Sequence, residues 1–146
     1  MNRNKFYFID LVASLFILLF TYTALSKFLN FANFQHTLGK SPLIGRYHTT
    51  IAWVLPVAEL LTSLMLFIPR TKLAGLYISL LLMSAFTLYI TYMLAFAPHL
   101  PCSCGGVIRW MNWKQHLVLN LFFTGLAGAA VKIYKNSSKE SNFSLQ

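Results

Sequence analysis

The sequence predicts an all-α integral membrane protein, a four-helix transmembrane bundle. Three observations carry that reading. Of the 146 residues, 57% are hydrophobic and 10% charged, where a soluble domain carries about 25% charged residues. Four apolar stretches approach the roughly 20 residues that a helix needs to cross a bilayer. Twelve Lys and Arg stand against three acidic residues, Asp10, Glu59 and Glu140. The basic residues are dispersed between apolar runs, which fits flanks of spans in a lipid bilayer and speaks against a nucleic-acid partner.

The first span covers about 8–25, "FIDLVASLFILLFTYTAL". Arg3 and Lys5 precede it and Ala24-Leu25-Ser26 offers small residues for signal cleavage. The run is long for a signal peptide and its loss would leave an odd number of spans, so it is read as retained. Residues 26–50 form an extracytoplasmic loop. Phe28, Phe31 and Phe34 recur every three residues there, and predict a helical continuation anchored at the interface by an aromatic edge. Gly39, Pro42 and Gly45 then break it. The second span is about 51–68 and the third about 73–96. In the third, Ser84, Thr87 and Thr91 share helical spacing with Tyr89 and Tyr92 near the end. They read as interhelical bonding plus an aromatic belt, with a cleft for a quinone headgroup as the alternative. A second extracytoplasmic loop, 97–112, leads to the fourth span at 113–134, where Gly125 and Ala129 allow close helix packing. Spans and loops make one domain, 1–134. Polar residues 135–146 are expected to be a disordered tail.

Four spans put both termini on one side. That side carries Arg3, Lys5, Arg70, Lys72, Lys132, Lys135 and Lys139, against Lys27, Lys40, Arg46, Arg109 and Lys114 on the other. The positive-inside rule therefore predicts cytoplasmic termini. In a bacterium this describes a multi-pass inner-membrane protein, with the loop at 97–112 facing the periplasm, where disulfides persist.

That loop holds both cysteines, in "HLPCSCGGVIRW". A bridge between Cys102 and Cys104 closes a very small ring and requires a bent backbone, for which Gly105 and Gly106 supply unusual dihedrals. A strained, exposed bridge exchanges easily and makes a poor staple. Arg109 and a protonated His99 would favour the thiolates. Two rivals stand beside redox exchange. A metal site could draw on Cys102, Cys104, His99, His116 and Met111, although C-x-C is narrow for zinc. The cysteines could also be structural filler.

Glu59 lies eight residues into the second span, about 12 Å down the helix. An ionisable group there is paired, protonated or wet, and is a functional candidate by default. Pro56 leaves the Ala52 carbonyl without its helical partner and can kink the helix beside it. Lys27, just past the first span, is the candidate partner. Its long stem also allows it to snorkel outward, the favoured reading. Asp10 is expected at the wet inner end of the first span.

In order along the chain, "ALSKFLNFANF" with Ser26 and Lys27, "LPVAELLTSLML" with Pro56 and Glu59, and "PCSCGG" resemble the MauE branch of the DoxX-like membrane proteins. The resemblance covers about Ile9 to Tyr134. It implies a four-helix membrane protein tied to thiol–disulfide chemistry. Members of the branch are linked to maturation of the disulfide-rich small subunit of methylamine dehydrogenase, alongside a thioredoxin-like partner. DoxX relatives include a subunit of a thiosulfate:quinone oxidoreductase. Cys102 and Cys104 would then be the redox pair, with Glu59 and Lys27 as polar helix residues.

The expected function is thus a membrane thiol–disulfide relay. The Cys102/Cys104 pair exchanges electrons with an extracytoplasmic thioredoxin-like protein, with a quinone as a possible acceptor in the bundle. A non-catalytic subunit that scaffolds a redox or transport partner, or metal handling through the cysteines, are the alternatives.

Overall fold

The computed structural model describes residues 3–41, 43–96 and 113–143. They form five α-helices: α1 (Arg3–Leu29), α2 (Phe31–Gly39), α3 (His48–Phe67), α4 (Lys72–Phe96) and α5 (Trp113–Phe143), with a 3-10 turn at Gly45–Tyr47. No strand occurs among the described residues. Helices α1, α3, α4 and α5 are each long and apolar enough to span a bilayer. Large apolar side chains such as Leu18, Leu81, Leu88 and Val118 point outward, as lipid-facing residues do.

The four spans pack as a ring in which α1 lies on α3, α3 on α4, α4 on α5, and α5 returns to α1. Each presents a buried stripe. On α1 it is Ile9, Ala13, Phe16, Phe20, Thr23 and Lys27, spaced by alternate steps of four and three, the period of one helix face. On α3 it is Ala52, Pro56, Glu59, Ser63 and Leu66. Phe16 and Phe20 are fully enclosed, and Phe16 meets Phe123 of α5 edge-on, with 5.3 Å between ring centres. Near the α3–α4 turn, a Cβ on Gly75 would sit 3.0 Å from the Leu66 backbone nitrogen. A side chain there would press on Leu66 and push the two helices apart.

Four readings need correction. First, the close contact lies at Gly75 and not at Gly125, where an added Cβ would meet no neighbouring helix within 4 Å. The buried face of α5 is Ala127 and Ala130 instead, and Ala129 is exposed. Second, the helix after α1 does not continue unbroken along the interface. Asn30 leaves the helical dihedrals, at φ −115° and ψ 35°, while its backbone N–H and its side-chain Nδ2 both donate to the Ser26 carbonyl at 3.2 Å. The chain then restarts as α2, packed on α3. Phe28 and Phe31 meet Trp53 at a tilt, with ring centres 6.2 and 4.8 Å away, while Phe34 and Leu38 are buried. Third, α5 is helical to Phe143, where the sequence reading has a disordered tail from 135. Residues 130–143 contain neither Gly nor Pro, and Lys135, Lys139 and Glu140 are good helix formers. Fourth, Lys27 does not snorkel outward, as the site makes plain.

Candidate functional site

Glu59 lies eleven residues beyond His48, the first residue of α3, about 16 Å along the helix and close to its midpoint. Because α3 starts at His48, the carboxyl is deeper than a span from residue 51 implies. Its position on the buried stripe, one turn after Pro56, aims it into the bundle. Lys27 lies on the buried stripe of α1, so its stem runs inward and its ammonium meets Glu59. Nζ donates to Oε1 at 2.6 Å. Both side chains are nearly sealed, at 7% and 1% exposure. The ammonium also sits 5.9 Å from the ring centres of Phe34 on α2 and Phe86 on α4, a distance at which cation–π attraction operates.

The pair borders a cavity of about 290 Å³. Its walls are apolar, with Leu19, Leu55, Phe86 and Ile90 among them. Its polar lining comes from every helix: Thr23 and Lys27 of α1, Thr37 of α2, Glu59 of α3, Tyr89 of α4, and His116 and Asn120 of α5. Helix α2 closes one side. The Tyr89 hydroxyl donates to Ser41 Oγ at 3.0 Å and ties the end of that segment to α4. Among the described residues, two buried polar atoms of this lining have no hydrogen-bond partner. They are Oε2 of Glu59, an acceptor when ionised, and Nδ2 of Asn120, a donor.

The structure therefore joins Lys27, Glu59 and Pro56 in one neighbourhood. Cys102, Cys104, Gly105, Gly106, Arg109, His99 and Met111 lie outside the described residues. Of the metal alternative, only His116 is described, and it lines the cavity. No group of three metal-ligating side chains occurs among the described residues. Thr87 Oγ1 lies 3.3 Å from Thr124 Oγ1 of α5, where the two helices meet, and each hydroxyl donates to a carbonyl of its own helix, Met83 and Asn120, at 2.7 Å. Asn120 is the residue that sequence reasoning missed. Its signal was present, since His116 and Asn120 stand four apart in an otherwise apolar run and share a face. Asp10 at the other end of α1 accepts from Lys72 Nζ at 2.6 Å and is 37% exposed.

A buried donor–acceptor set inside an apolar four-span bundle can hold a small amphipathic molecule and can orient or exchange a proton. No curated protein and no solved structure matches the chain significantly. The family described as "Methylamine utilisation protein MauE" matches residues 5–133, nearly the whole helical region. The chain is a multi-pass membrane protein and belongs to the MauE family.

Proposed function

We propose that the protein is a membrane thiol–disulfide relay. The Cys102/Cys104 pair exchanges electrons with an extracytoplasmic thioredoxin-like protein, in support of disulfide formation or maturation of another protein. The chain sits in a bacterial inner membrane with cytoplasmic termini. The observation that carries this reading is the only pair of thiols in the chain, set in the polar link between α4 and α5 of a MauE-family bundle. The family's description names methylamine utilisation, and no client substrate is carried over from it.

The exchange balances simply. With the pair oxidised, a partner thiolate attacks one sulfur, forms a mixed disulfide and displaces the other cysteine as thiolate. The partner's second thiolate then attacks the mixed disulfide. The partner leaves oxidised and Cys102/Cys104 leaves as a dithiol, having gained two electrons. The reverse sequence reduces the partner.

The test is trapping. In cells carrying Cys102→Ser or Cys104→Ser, one of the two variants is expected to accumulate a reductant-sensitive adduct with a thioredoxin-fold protein. Failure of both to trap an adduct, with the redox state of such partners unchanged, overturns the relay. Function retained in the double serine variant would favour the scaffolding alternative.

A further inference from the structure

We propose that the cavity beside Lys27 and Glu59 is a binding site for the headgroup of a membrane quinone. The unmet bonds in its lining define the ligand. Oε2 of Glu59 asks for a donor and Nδ2 of Asn120 for an acceptor, and buried polar atoms in folded proteins are rarely left without partners. A lipid tail would fill the apolar volume and satisfy neither atom. An inorganic ion would gain nothing from walls such as Leu19, Leu55 and Ile90.

A quinone ring answers both demands in its two redox states. As the quinone, its carbonyl oxygens accept from Asn120 Nδ2 and from the Lys27 ammonium. As the quinol, its hydroxyl donates to Glu59 Oε2. Phe34 and Phe86, which flank the Lys27 ammonium at 5.9 Å, offer aromatic faces to a flat ring. The cavity, about 290 Å³, is at the lower end of small-molecule pockets, roughly 300–1,000 Å³. That suits a headgroup whose tail stays in lipid. The role of the bound quinone rests on the relay reading. Oxidation of the Cys102/Cys104 dithiol to the disulfide releases two electrons and two protons, and reduction of quinone to quinol consumes two of each.

The experiment uses the full chain in lipid nanodiscs and a photoactivatable azidobenzoquinone with a decyl tail. Label is expected on the segments holding Lys27, Glu59 and Asn120, and excess decylubiquinone should remove it. Leu119→Trp, which fills the cavity from a wall residue without altering the ion pair, should lower labelling about tenfold, as should Asn120→Leu through loss of one buried hydrogen bond. Circular dichroism of each variant confirms that the helices persist. Cys102→Ser should label like the unmodified protein, so the site survives even where the relay fails. Label confined to lipid-facing residues such as Leu18, Leu88 and Val118, or undiminished in a folded Leu119→Trp, overturns the site.

Discussion

Lys27 is held inside by its phase on α1. The stripe that buries Ile9, Ala13, Phe16 and Phe20 runs on through Thr23 to Lys27, so a charge near the end of a span is carried inward by helix geometry. That phase was readable in the sequence, but nearness to the span's end favoured the outward reading. The long stem fits either direction, and only the position of Glu59 on the opposed stripe decides. Removing one partner of a buried pair leaves an uncompensated charge, at a cost of about 3–5 kcal/mol. Lys27→Met should therefore lower the midpoint of thermal unfolding in detergent, followed by circular dichroism. The Lys27→Met/Glu59→Leu double variant should recover most of the loss, because two apolar side chains replace two ions. A double variant no more stable than the single one contradicts this account of the pair. Asn120 shows the limit at this scale: its helical register was legible, but the cavity it faces is formed by five helices together.

The four spanning helices were legible because each is a long apolar run, and lipid permits a single hydrogen-bonded solution for such runs. What the sequence concealed is how they meet. Gly75 and Gly125 look equivalent in composition, yet only Gly75 faces a neighbouring backbone, with 3.0 Å between its virtual Cβ and Leu66. Gly75→Leu should destabilise the bundle by about 1–3 kcal/mol through overpacking. Gly125→Leu should be neutral or mildly stabilising, since leucine is the better helix former. Unfolding midpoints of the two variants give the comparison, and equal losses would refute the assigned interface. Helix α2 was foreseen as an interfacial extension. Its break carries neither Pro nor Gly and is a local change of dihedrals at Asn30, φ −115° and ψ 35°, a weak signal in sequence. The hydroxyl bond from Tyr89 to Ser41 fixes the far end of this segment. Tyr89→Phe removes a bond worth about 1 kcal/mol, so amides of residues 31–39 should exchange with deuterium about fivefold faster. Unchanged exchange there would mean that α2 is held by Phe34 and Leu38 alone.

Across the whole molecule, polar groups concentrate toward two levels. Asp10 and Lys72 tie α1 to α4 beside the α3–α4 turn. This pair is partly solvated, so it contributes only about 0–1 kcal/mol. Lys27 and Glu59 occupy the interior, under α2 and on the side of the link between α4 and α5. The asymmetry follows from the order of the helices: the link at 97–112 joins the ends of α4 and α5 that lie opposite the Asp10–Lys72 turn. The proposed relay places that link on the oxidising face of the membrane. Alkylation in intact cells with a membrane-impermeant thiol reagent, read by mass spectrometry of Cys102 and Cys104, tests this most directly. The account predicts that both thiols resist the reagent until an external reductant is added, and then react from outside. Thiols that react only after the membrane is permeabilised, or that react fully without reductant and stay reduced in the presence of oxidised partner, would contradict it.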